Sequence, residues 1–245
     1  MMAKAIKTTK TVTPASLCYH HRVNDNFDRI ILLDKPTGIS SFGCVARVRK
    51  YLTTQAGHKV RVGHCGTLDP FATGLLILVS GKYTKRAGEF SHLDKEYLAT
   101  IKLGANSSTG DPEGEIMLIN DRQPSENEIK NALRKFTGEI EQTPPRFSAI
   151  KVNGQRAYKL ARAGKEVTMP TRRVTIYRIE LVSYQYPELV IKTKVSSGTY
   201  IRSLAEDIGK ELQTGAYTTA LRRLSIGEYS LANAQLLADY ELESR

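Results

Sequence analysis

Cysteine is scarce in these 245 residues, and the three present, Cys18, Cys44 and Cys65, are odd in number and far apart. A disulfide framework is excluded and a reducing compartment is implied. No C-x-x-C occurs, and the nearest metal-like grouping, His58 with His64 and Cys65, has no fourth ligand close by. No metal is expected. Apolar runs are short; the longest, Leu75–Val79, suffices for a buried strand and is far too brief to span a bilayer. Lys4, Lys7 and Lys10 are followed by no apolar stretch, so the N-terminus is not a secretory signal, and it is too poor in Arg for a transit peptide. The expectation is a cytoplasmic protein with no membrane partner. Nucleotide signatures are also missing. Gly81-Lys82 has no glycine five positions earlier and is followed by Tyr83 rather than Ser or Thr, and no G-x-G-x-x-G exists.

Acidic residues are in deficit too. Twenty-five Asp and Glu stand against 36 Lys and Arg, a net charge of +11, which is the footprint of a polyanion binder, most often of nucleic acid. What remains is ordinary for a globular protein, with 40% hydrophobic and 25% charged residues. The length suits one large domain or two small ones with a substantial core.

Residues 1–24 contain no acid and read as a flexible basic arm; residues 25–245 read as the folded unit. The run from Arg29 to Asp34 suggests a strand ending at Lys35-Pro36, with Gly38 turning the chain. Ser40 or Ser41 can cap a helix whose apolar positions are Phe42, Val45, Val48 and Leu52, ended by Gly57. After a Gly-rich loop, Gly63–Gly66, the segment from Gly74 to Gly81 reads as a central strand. Tyr97, Ala99, Ile101 and Leu103 alternate with polar residues as in a half-buried strand. Asp111-Pro112-Glu113-Gly114 is a turn before Ile116–Ile119. Ser125 and Glu128 form a capping box for a helix carrying Ile129, Leu133 and Phe136, closed by Gly138. Strands are expected near Val174–Tyr184 and Leu189–Val195, and helices over Tyr200–Leu212 and Ala234–Tyr240. The class is α+β: a central, mostly antiparallel mixed sheet flanked by helices. Pro144–Thr171 is dense in Lys and Arg and resists regular assignment, reading either as an insertion that grips nucleic acid or as a solvated loop.

The segment richest in chemistry is Gly63-His64-Cys65-Gly66-Thr67-Leu68-Asp69-Pro70, continuing to Gly74. One reading makes Asp69 a helix N-cap with Pro70 at the first helical position. The other keeps the same stiffness for function: a residue before proline is driven out of the helical region, and flanking glycines let a substrate approach. A carboxylate projecting from such a loop can act as nucleophile or base, with no triad partner in sight.

Five segments taken together carry a family likeness. They are L-D-K-P-T-G-I-S-S (Leu33–Ser41), G-H-C-G-T-L-D-P-F-A-T-G (Gly63–Gly74), D-K-E-Y (Asp94–Tyr97), S-S-G-T-Y-I-R-S-L-A-E-D-I-G (Ser196–Gly209) and L-R-R-L (Leu221–Leu224). In order and spacing this sequence resembles the tRNA pseudouridine-55 synthases of the TruB type. The resemblance implies the pseudouridine synthase fold and isomerisation of a T-loop uridine by a monomer that needs no cofactor. It implies that Asp69 is the catalytic aspartate, that Tyr97 stacks on the target base, and that Arg202 pairs with the aspartate. His64 would help hold the flipped nucleotide, and Tyr200 and Leu221 would line its pocket. Pro144–Thr171 would be the RNA-clasping loop, with Lys151, Arg156 and Lys159 as candidate contacts to the RNA backbone. In two places the sequence departs from the family's pattern. Cys65 stands where Thr or another small residue is usual, and the chain ends at Arg245 where many members continue into a C-terminal RNA-binding domain of PUA type, so the short form is expected. The competing classes are a non-catalytic RNA-binding or RNA-folding protein and a synthase acting on another RNA. Asp69 discriminates against the pure binder, because a carboxylate facing a polyanion weakens binding.

Overall fold

The apolar run from Ile30 to Leu33 opens strand β1 (Ile30–Lys35), whose buried face is Ile31, Leu33 and Lys35. The computed structural model describes residues 27–152 and 154–241; the arm expected over residues 1–24 lies outside the described residues. Helix α1 (Ser41–Ala56) is capped by Ser40, whose hydroxyl accepts from the Gly43 amide at 3.0 Å, and closed by Gly57 in the left-handed region. Val45, Val48 and Leu52 are buried as expected, but Phe42 is 63% exposed. Ser41 takes the inward position in that first turn, and the Phe42 ring lies instead beneath the Arg49 guanidinium.

The expected loop at Gly63–Gly66 begins as a short strand, β2 (Val62–His64), paired antiparallel to β3 (Thr73–Ser80). Strand β3 is buried on both faces, with Leu76 and Leu78 packed towards α1 and Leu75, Ile77 and Val79 in a separate cluster with Phe90. A 3-10 turn and α2 (Ala87–Ser91) lead to β4 (Lys95–Leu103), which shows strict alternation. A two-stranded ribbon follows, β5 (Ala105–Ser107) with β6 (Ile116–Leu118), and the latter is wholly exposed. Helix α3 (Glu126–Lys135) carries the full capping box at Ser125 and Glu128. It ends before Gly138, which instead opens β7 (Gly138–Gln142). The basic insertion holds a small hairpin, β8 (Lys151–Val152) with β9 (Gln155–Arg156), and α4 (Ala157–Arg162). Then come β10 (Arg172–Gln185), β11 (Glu188–Val195), α5 (Ile201–Glu211), β12 (Ala216–Ile226), β13 (Tyr229–Ser230) and β14 (Gln235–Leu236).

The helix expected over Ala234–Tyr240 is not formed as such. Gln235–Leu236 pairs in parallel with β1 as β14, and only Leu237–Tyr240 coils, as a 3-10 turn. The free edge of β1 competes for those backbone groups and wins. The main sheet has the order β14-β1-β3-β12-β4-β11-β10-β7, and only β1·β14 and β3·β12 are parallel pairs. That is the mixed, mostly antiparallel sheet expected, with α3 and α5 sharing its largest core. No helix among the described residues is long and apolar enough to cross a membrane.

Candidate active site

No helix begins at Asp69: residues 65–72 form an irregular loop between β2 and β3, which removes the N-cap reading. Two buried cations hold that loop in shape from opposite sides. Lys35 is wholly buried, and its ammonium donates to the carbonyls of Pro36, Ile39 and Pro70 at 2.8, 2.7 and 3.1 Å. Three acceptors saturate its three N–H groups, which is what allows a lysine to be buried at all. Burial, the largest influence, lowers its pKa, and the Asp69 charge is among those opposing the fall. On the other side Arg223, 1% exposed, donates to the carbonyls of Leu75 at 2.7 Å and Gly66 at 3.2 Å. Ser41 completes the frame, its hydroxyl accepting from the Leu68 amide at 2.8 Å and bonding the Leu68 carbonyl at 2.9 Å. The L-D-K-P-T-G and L-R-R-L segments thus meet around the Asp69 loop because β1 and β12 both flank β3.

Gly74 makes the close approach possible. It has φ 99°, and a Cβ there would sit 2.3 Å from the Arg223 carbonyl oxygen. The parallel register pairs Gly74 with Arg223, so any side chain would push β3 off β12.

Arg202 rises from the first turn of α5 and is buried, with 3% of its side chain exposed. Its Nε lies 2.9 Å from Asp69 Oδ2, an ion pair whose N–H is not aligned as a linear hydrogen bond. The other guanidinium nitrogens are committed. Nη1 reaches Asp111 Oδ2 at 3.0 Å and the Thr109 carbonyl at 2.8 Å, and Nη2 donates to the Phe147 carbonyl at 2.9 Å. One buried guanidinium therefore sits between two carboxylates. Asp111 was legible in the sequence only as a turn residue. Burial dominates at Asp69 and raises its pKa above the usual carboxylate value; Arg202 and Lys35 pull it down, while Asp111 pushes it up.

A cavity of about 260 Å³ opens over Asp69. Its lining includes Tyr97, Tyr200, Arg202 and Leu221 together with Lys95 and Ser148, so four of the expected pocket residues converge on the carboxylate. Tyr97 is 7% exposed, on the inward face of β4. Tyr200 precedes α5, and its ring stacks under the Arg172 guanidinium at 4.7 Å. Lys95, two residues before Tyr97 on the same face, donates to the Ser91 and Leu93 carbonyls, and burial lowers its pKa to about 8.

His64 is not among the residues lining this cavity. It lies in β2 opposite Leu78, with Nδ1 buried and unpartnered among the described residues, and burial followed by the Arg223 charge lowers its pKa, which favours the neutral ring. Its neighbour Cys65 packs with Leu75, Ile77 and Val79, and burial pushes its thiol to about 11, so it holds no reactive thiolate. Lys151, Arg156 and Lys159 are exposed on the insertion, away from the cavity lining. The Arg156 guanidinium already donates to the Ala149 carbonyl, whereas the Lys151 and Lys159 ammonium groups make no hydrogen bond or ion pair among the described residues.

The family description "TruB family pseudouridylate synthase (N terminal domain)" matches residues 49–201. A tRNA pseudouridine synthase B from Bacteroides fragilis is 45% identical over 204 residues, which cover 82% of this chain and 88% of the relative. Its counterpart from Borreliella burgdorferi is 42% identical over 208 residues, 84% of this chain and 72% of the relative. Among solved structures, a crystal structure of a Cbf5-Nop10-Gar1 complex superimposes with TM-score 0.68 at 29% identity, covering 88% of this chain. This chain spans about half of that one, 54% of its length.

Proposed function

The chain belongs to the TruB family of pseudouridylate synthases, and from that premise we propose that it converts a uridine in the T-loop of tRNA, position 55, to pseudouridine. The observation that carries this reading is the Asp69 carboxylate, held against the buried Arg202 guanidinium at the floor of a cavity walled by Tyr97.

The reaction breaks the N1–C1′ bond, turns the uracil, and joins C5 to C1′; the hydrogen leaves C5, and N1 ends protonated. Nothing is oxidised or hydrolysed, so the residues must bind, orient and move a proton. A uridine inside a folded loop has to be extruded, at a cost of about a few kcal/mol in lost stacking. The Tyr97 ring offers a replacement stacking surface, worth roughly 1–3 kcal/mol per base. Asp69 then faces the sugar and base edge as nucleophile at C1′ or as base. Arg202 favours the ionised form and orients the carboxylate in a site whose burial favours the neutral acid. Leu221 and Tyr200 close the walls.

The net charge of +11 and the exposed lysines of the insertion support an RNA partner, read here as the T-arm. Residues 25–245 are read as the catalytic unit of a cytoplasmic monomer that uses no metal or organic cofactor, since the rearrangement asks only for binding, orientation and proton transfer. A carboxylate aimed at a polyanion has no use in a protein that only binds RNA. Mapping pseudouridine in tRNA from cells with and without this protein tests the assignment. The T-loop position should lose its modification when the protein is removed, and full modification there in its absence, with no second enzyme of this family present, would contradict the reading.

A further inference from the structure

Ser148 belongs to the basic insertion yet lines the same cavity as Asp69 and Tyr97. The residue is 4% exposed, and its hydroxyl oxygen is buried with no hydrogen-bond partner among the described residues. Buried polar groups are nearly always satisfied, so an orphan of this kind requires a reason. Local looseness is not that reason, because the backbone on either side is held. The Phe147 carbonyl accepts from Arg202 Nη2 at 2.9 Å, the Ser148 carbonyl accepts from the Tyr158 amide at 3.1 Å, and the Ile150 carbonyl accepts from the Ala157 amide at 2.8 Å. Residues 147–150 are thereby tied to the insertion's own α4 and to the cation of the catalytic ion pair, and Ser148, with its unpaired hydroxyl, lines the space where the substrate must enter.

We propose that Ser148 is a substrate contact whose hydroxyl donates to a ring carbonyl of the flipped uracil. This inference rests on the functional reading above. Burial selects the base over the phosphate. A phosphate retains its hydration and is repelled by Asp69, so it stays at the rim, whereas the flat, uncharged base is the part of a nucleotide that can reach a hydroxyl shielded from solvent. A hydroxyl donor suits a pyrimidine carbonyl, and leaving that donor unpaired is what the variant below avoids.

The test uses the full chain and T-arm hairpins carrying uridine, 4-thiouridine or 2-thiouridine at the target, because sulfur accepts hydrogen bonds poorly. On uridine, Ser148→Ala should lower kcat/KM by about 10- to 100-fold with hairpin affinity and Tm close to wild type. On one of the two thio hairpins the same substitution should cost no more than about twofold, since the bond is already weakened there, while the other keeps the full penalty. Ser148→Cys, which keeps the size and offers a weak donor, should fall between wild type and Ala; it carries the test if Ala proves unstable. An equal penalty on all three hairpins, or Ala and Cys activities within about twofold of wild type on uridine, would overturn the contact. Wild-type protein that leaves the uridine hairpin unchanged would instead overturn the functional reading, and the contact with it.

Discussion

At Asp69 the Arg202 guanidinium works against burial without cancelling it. Burial raises the carboxylate's pKa and the guanidinium is the largest influence opposing it. If the carboxylate is the active form, activity is lost as pH falls through that pKa, so the acid limb of kcat/KM should lie above the ordinary Asp value of about 3.9. Arg202→Met removes the opposing cation, and the limb should move to still higher pH; a limb that stays put or moves down would show that the pair does not tune the acid. At Tyr97 the expected effect is on base binding. Tyr97→Phe keeps the stacking face and should bind the T-arm as wild type does, whereas Tyr97→Ala should weaken the step that captures the flipped base by about five- to 150-fold, the equivalent of one lost stacking contact. Fluorescence of a 2-aminopurine beside the target would report that capture. Equal behaviour of the Ala variant and wild type would reduce Tyr97 to a strand residue.

At the scale of elements, the β3·β12 parallel pair fixes the Asp69 loop. A Gly74→Ala side chain would overlap the Arg223 backbone at 2.3 Å in a conformation hostile to any Cβ, so it should cost about 2–4 kcal/mol in urea unfolding. A loss under about 1 kcal/mol would mean that the two strands are not locked at this point. Much of this frame could be read in the sequence where local signals agree, as in the alternation of β4, the Ser125 capping box and the apolar run of β3. Strand β12 went unread, since L-R-R-L puts two arginines in the middle of a sheet and only the tertiary structure supplies the carbonyls that satisfy Arg223. Lys35 was legible as the end of a strand but not as a buried anchor, for the same reason. Asp111 escaped notice because D-P-E-G is an ordinary turn sequence, and its meeting with Arg202 spans 91 residues of chain. His64 is the converse case: it neighbours the loop in sequence, yet the cavity over Asp69 is lined without it.

For the whole molecule, charge and cleft must cooperate. RNA affinity should fall steeply with salt, with log K declining by about 0.7–0.9 per phosphate neutralised for each unit of log salt. Reversing Lys151, Arg156 and Lys159 together should flatten that slope and weaken binding to any T-arm-like RNA. Lys151 and Lys159 should account for most of the change, because Arg156 is already engaged with Ala149. An unchanged slope would show that the insertion does not grip the backbone. The central claim is narrower than binding: one carboxylate, paired with a buried arginine, performs the isomerisation. Its most direct test is single-turnover conversion of a T-arm hairpin by Asp69→Asn, measured beside that variant's affinity for the same hairpin. The account predicts conversion slowed by more than about a thousandfold, roughly 4 kcal/mol of transition-state stabilisation, with affinity equal to wild type or slightly tighter. Conversion within about tenfold of wild type, at unchanged affinity, would contradict it.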